Sequence, residues 1–219
     1  TQELVMLLDK YTGDVVKTWV SVGDEEGPFY DCISFGNKLY AVGYSHIYIF
    51  DRDLRVVKRV NAEVPLMSIT SDGGYLYTGG GWNDSKGRVE IRNLDLNMVR
   101  YKEMQKYGII WGIGINPVTG EVWAVGDYRD SIQGIGVKSL MTIFDKKLNI
   151  KKVVDSMGIG SLFSICFDSI GYAYVVGSGG IARFDKDGNL KIIRSDVWGT
   201  KIACVNDQVY VFNDEFQSG

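Results

Sequence analysis

Few side chains in this sequence combine a reactive type with a spacing that could do chemistry. There is one histidine, His46, so neither a multi-histidine metal site nor an H-E-x-x-H zinc helix can be built. At the start of a predicted strand, His46 reads as structural. The three cysteines, Cys32, Cys166 and Cys204, form no C-x-x-C pair. Each falls on the innermost strand of a different repeat, where a small buried filler is expected. A cytoplasmic location is the matching expectation.

The carboxylates offer more. Hydrolysis of a glycosidic bond needs two acids facing each other across it. Asp31 stands at the mouth of an inner strand, while Asp127, Asp130, Asp155 and Asp196 would have to reach in from loops. Nothing in the spacing selects a pair among them. Asp185-Lys186-Asp187-Gly188-Asn189 is similar to the opening of a calcium loop but lacks the glycine at position six and the closing Glu. Its counterpart Asp51-Arg52-Asp53 stands at the same point of another repeat, so both read as β-turns. No Walker or nucleophile-elbow motif occurs, and Gly134-Ile135-Gly136 and Gly158-Ile159-Gly160 lack the strand–helix setting of a phosphate cradle. Catalytic residues, a metal and a cofactor are therefore not expected. Asn83-Asp84-Ser85 fits the glycosylation sequon and reads as coincidence.

What positions these groups is a repeat. An aromatic recurs at Tyr40, Tyr77, Trp123, Tyr174 and Tyr210, inside LYAVG, LYTGG, VWAVG, AYVVG and VYVFN. The next strand ends in a polar residue at Asp9, Asp51, Asn93, Asp145 and Asp185, spaced by 42, 42, 52 and 40 residues. A period near 40 made only of short strands and Gly, Asn or Asp turns predicts four-stranded β-propeller blades. With strands lettered A to D from the axis outwards, the A strands are 32–35, 68–71, 112–115, 164–167 and 202–205. They are rich in small residues, as crowding at the axis requires. The chain opens with C-like and D-like strands (4–8 and 15–20) and stops after A-like and B-like ones. Four whole blades and one composite blade shared by the two ends give a five-bladed propeller, a single domain over 1–219, with no free sheet edge.

The D–A and B–C connections lie on one face, and they hold the irregular material. They include the acidic run Asp24-Glu25-Glu26, Trp82 in the 79–87 loop, Tyr107, the 127–139 insertion with Tyr128, Arg129 and Asp130, the segment 157–160, and Trp198. Long loops on a rigid scaffold are where binding groups concentrate. Just before each A strand stand Asp31, Met67, Trp111, Phe163 and Lys201, a ring at the channel mouth that either binds or simply plugs it. A formal charge of −3 argues against a phosphate-binding surface, so no nucleic-acid partner is expected. No apolar run reaches membrane-spanning length, and no signal-peptide pattern is visible at Thr1.

The blade pattern, L-Y-x-x-G then I-x-x-F-D and a strand bearing Lys or Arg, resembles the β-propeller repeat superfamily, nearest to NHL- and YVTN-type repeats. No G-H…W-D signature of WD40 repeats is present. The resemblance implies a rigid disc that binds proteins or small ligands more often than it catalyses, and it transfers no catalytic residue. The expected function is a monomeric, non-catalytic scaffold or binding module. Its partner, a protein or small ligand, would meet Asp31, Trp82, Trp111, Tyr128, Arg129, Phe163, Trp198 and Lys201. The alternative is a hydrolase or lyase at the channel mouth, using Asp31 with Asp127 or Asp130.

Overall fold

Short apolar runs punctuated by turn residues leave the chain one option, and it takes it throughout. The computed structural model describes residues 4–20, 28–82, 86–129 and 136–213; among these the regular elements are all β-strands. A two-stranded hairpin, β1 (Leu4–Leu8) and β2 (Val15–Val20), comes first. Blade 1 is β3 (Phe29–Phe35), β4 (Lys38–Gly43), β5 (His46–Phe50) and β6 (Val56–Asn61), paired in order. A seven-stranded sheet follows: β7 (Leu66–Ser71), β8 (Tyr75–Gly80), β9 (Lys86–Asn93), β10 (Met98–Ile115), β11 (Val122–Arg129), β12 (Lys138–Phe144) and β13 (Ile150–Asp155). It amounts to two blades sharing one strand. The first part of β10 pairs with β9 as the outer strand of blade 2, and the rest pairs with β11 as the inner strand of blade 3. The loop expected around Tyr107 is therefore continuous strand. Blade 4 is β14 (Leu162–Phe167), β15 (Ala173–Gly177), β16 (Gly180–Phe184) and β17 (Leu190–Arg194), and the chain ends in the hairpin β18 (Lys201–Val205) and β19 (Gln208–Phe212).

The repeated strand-end Asp or Asn is explained by its hydrogen bonds. Asp51 Oδ1 accepts the amides of Asp53 and Arg55 at 2.8 and 2.9 Å. Asn93, Asp145 and Asp185 accept the amides two and four residues on in the same way. Each is a side chain closing its own turn, so the calcium-like segment is a turn, as its sequence counterparts suggested. The third residue after each of these four anchors takes a left-handed conformation: Leu54, Leu96 and Leu148 at φ 52°, 65° and 59°, and Gly188 at 73°. The three leucines accept that unfavourable backbone with their side chains buried.

Blades bury their faces against one another. Tyr40, Val42, Ile47 and Ile49 of blade 1 meet Leu76 and Leu96 of blade 2. Tyr77, Val89 and Ile91 of blade 2 meet Val122, Ala124 and Phe144 of blade 3, and Trp123 and Ile143 of blade 3 meet Val175 and Phe184 of blade 4. The remaining face of blade 1 is covered by the N-terminal hairpin, whose Trp19 lies 5.4 Å from the Tyr48 ring and 5.1 Å from Phe50. The C-terminal hairpin packs β18 beside β14. Among the described residues, no ladder joins β19 to β1: the two hairpins are separate two-stranded sheets.

The cysteines overturn the filler reading. Cys166 on β14 and Cys204 on β18 form a disulfide between adjacent inner strands, with Cα atoms 5.6 Å apart, and the free Cys32 is exposed. The argument for a reducing compartment rested on three fillers, and this pair removes that premise.

Candidate binding site at the mouth of the inner strands

One irregularity repeats at the axis. In β3, β7, β10 and β14 the pairing register slips by one residue, between Phe29 and Asp31, Leu66 and Ser68, Ile110 and Gly112, and Leu162 and Ser164. Each slip is a β-bulge that re-aims one side chain: Tyr30, Met67, Trp111 and Phe163. The glycine ending L-Y-x-x-G makes room for it. A Cβ on Gly126 would stand 1.9 Å from the Ile109 carbonyl oxygen, and one on Gly80 would stand 2.0 Å from that of Pro65. So the sequence motif positions the site. In the last hairpin Lys201 pairs with Phe212 as Asp31 pairs with Val42, which puts Thr200 at the bulge position.

The four bulge residues and Thr200 converge on one cavity of about 210 Å³, lined by Tyr30, Met67, Trp111, Phe163, Thr200 and Lys201. Trp111 is fixed in place: its indole Nε1 donates to Asp127 Oδ2 at 2.7 Å, and Phe163 meets it edge-on with centroids 6.3 Å apart. Burial, and then the neighbouring Tyr44, push the Tyr30 phenol above its ordinary value, which keeps it neutral. The site is thus an aromatic bowl with an ammonium group and a hydroxyl at one side.

Three of the eight residues read from sequence, Trp111, Phe163 and Lys201, line this cavity. Trp82 and Trp198 are exposed on the connections that follow β8 and β17, and Trp82 meets Tyr44 edge-on at 5.6 Å. The others need correction. Asp31 lies one residue past the bulge, and the group aimed at the mouth is Tyr30. The Asp31 carboxylate instead accepts Cys32 N–H at 2.9 Å, Ser68 Oγ–H at 2.8 Å and Ile69 N–H at 3.0 Å, so it brackets blade 1 to blade 2. Tyr128 belongs to β11 and is buried. Its hydroxyl meets Ser156 Oγ at 3.1 Å and Asp155 Oδ2 at 3.4 Å, so it takes no part in the mouth surface. Arg129 ends that strand, half-buried. Asp24, Glu25, Glu26, Asp130 and the sequon 83–85 lie outside the described residues. Sequence reasoning missed Tyr30 and Thr200 because a bulge adds one residue without changing the apolar alternation on either side.

No protein-family model matches this chain, and no curated protein matches it. Among solved structures it is similar to the WD40 β-propeller domain of Doa1, at 18% identity and a TM-score of 0.57, over 71% of this chain and 49% of that one. This chain therefore spans about half the length of that structure. It is also similar to a protein of unknown function from Bacteroides caccae, at 12% identity and a TM-score of 0.67, over 93% of this chain and 76% of that one. Identities this low speak to fold alone, and together with the bulged inner strands and interblade cores they show that this chain has the β-propeller repeat fold.

Proposed function

We propose that this protein is a non-catalytic interaction module that holds a protein partner on the face bearing the aromatic bowl. The observation that carries the reading is the convergence of four bulge residues and Thr200 on one pre-formed, mostly apolar cavity; Trp82 and Trp198 are exposed as well. Exposed tryptophans around a concave apolar centre are what binding hot spots are made of. Against the hydrolase reading, Asp31 is taken up by three donors and Asp127 by the Trp111 indole, while its third acid, Asp130, lies outside the described residues. The WD40 neighbour fits a scaffold role in general. We further propose that the two terminal hairpins are the inner and outer halves of a fifth blade, with β19 laddered to β1. In its favour, the hairpins already flank blades 4 and 1, and a cleft of about 270 Å³ runs between Val5, Met6 and Leu7 and the inner residues Cys32 and Ser34.

The test is cross-linking followed by affinity capture with wild type, the Trp111→Ala/Phe163→Ala double variant, and Val57→Ser on the distant rim. Loss of a captured protein in the double variant alone is the expected result. Equal capture by all three folded proteins removes the bowl from the binding surface.

A further inference from the structure

A second cavity, of about 260 Å³, lies in the groove between blades 2 and 3 and shares no lining residue with the bowl. Its inner wall is Met104, Leu140 and Thr142, all buried, and its lip is the partly exposed Ile150 and Val153. Lys106 and Asp155 stand at one end. Their charged atoms are 3.4 Å apart, and the Lys106 ammonium also sits 3.8 Å from the Tyr128 ring centroid, so neither group calls for an outside counter-ion. Thr142 is fully buried, and among the described residues its Oγ1 has no hydrogen-bond partner. A buried orphan hydroxyl lining a cavity is rare enough to need a cause.

The cause is visible in the equivalent groove one blade earlier. The ladders match Leu140 to Arg88, Thr142 to Glu90 and Val153 to Tyr101. Between blades 1 and 2 the space is filled from within: the Arg88 guanidinium lies 3.8 Å over the Tyr101 ring and reaches Glu63 at 2.8 Å. There Thr78 stands opposite Glu90 and donates to it, at 3.4 Å. Between blades 2 and 3 the long and the aromatic side chains become Leu140 and Val153, and the residue opposite Thr142 becomes Ala124. The groove is left open and the hydroxyl unanswered.

We infer that this groove is a binding site for a neutral, single-ring-sized organic molecule carrying a hydrogen-bond acceptor. The ring takes the space that Arg88 on Tyr101 occupies one interface away, and the acceptor takes the Thr142 proton. The volume suits one substituted ring, and the self-paired ions at the end exclude a preference for either charge.

Acetophenone and toluene serve as probes, titrated into the protein with methyl NMR on Met104, Leu140, Thr142 and Ile150. Saturable acetophenone shifts at these methyls are expected. Thr142→Val keeps the shape and loses the hydroxyl; it should weaken acetophenone by about fivefold, the value of one neutral hydrogen bond, and leave toluene unchanged. Val153→Phe, which supplies the missing ring, should abolish binding of both while leaving the bowl methyls in place. No saturable shift in wild type, equal acetophenone affinity after Thr142→Val, or a crystal soak with only a water on Thr142 Oγ1 would each overturn the inference.

Discussion

The face that blade 2 turns to blade 1 and the face that blade 3 turns to blade 2 occupy the same strand positions and use opposite materials. In blade 2, Arg88, Glu90 and Arg92 run along β9, with Glu90 wholly buried between the two guanidinium groups at 3.1 and 2.8 Å. Arg92 also donates to the Leu96 carbonyl at 3.0 Å, and Arg88 reaches Glu63. In blade 3 the same positions are Leu140, Thr142 and Phe144; Leu140 and Phe144 join an apolar core, and Leu140 and Thr142 also line the open groove. Both solutions close an interface between blades. The charged one does so because each ion faces an opposite charge, although among the described residues Arg88 Nε and Nη2 and Glu90 Oε1 find no well-aligned hydrogen bond. Such matching makes it intolerant of single changes but replaceable as a set. The apolar one needs no matching, and it leaves space.

The largest effect should come from breaking the charged set at its centre. Glu90→Leu leaves the buried Arg92 guanidinium with no carboxylate and Arg88 with only the exposed Glu63, and should cost about 3–5 kcal/mol, read as a lower urea midpoint. Installing blade 3's residues together, as Arg88→Leu/Glu90→Thr/Arg92→Phe, should leave stability unchanged or raise it by about 1–4 kcal/mol. A triple variant less stable than Glu90→Leu alone would break the comparison.

A third kind of interface, between blade 4 and the terminal hairpin, is held by a covalent bond. Cys166→Ala/Cys204→Ala opens a crosslink spanning 38 residues. The expected loss is about 2–4 kcal/mol, seen in denaturant unfolding and matched by wild type under reductant.

The smallest effect uses the turn where blade 2 carries Asn93 and blades 1 and 3 carry Asp51 and Asp145. The Arg55 amide above all holds the Asp51 carboxyl below the usual range, and Asn149 does the same for Asp145. Folded-state values below the unfolded ones give stability that is present above about pH 4 and is lost as pH falls through the folded values. Asp145→Asn should therefore keep the turn, as Asn93 does, and flatten the acid limb of a stability–pH profile. An unchanged limb would remove this carboxyl from it.

Much of the fold was legible because it is local. The period of the Asp and aromatic anchors located four blades and both terminal hairpins, since turn chemistry and strand alternation act within a few residues. The bowl was partly legible: Trp111, Phe163 and Lys201 were found, while Asp31 was placed one residue away from Tyr30. The Asp127–Arg129 stretch looked like loop and is strand, because its burial depends on Asp155 and Ser156 of another segment. The disulfide was not legible, for three cysteines on three inner strands do not say which two become neighbours.

By itself, then, the sequence determined what short-range forces determine: strand length, turn type, the glycine that makes room for each bulge, and the forty-residue cadence. The tertiary structure alone decided what depends on one blade meeting the next. It set which bulge residues converge on the bowl, which acids are consumed as brackets, and which groove is filled by an arginine or left open. Those outcomes depend on side chains dozens of residues apart competing for the same volume, and that competition has no periodic signature in the chain.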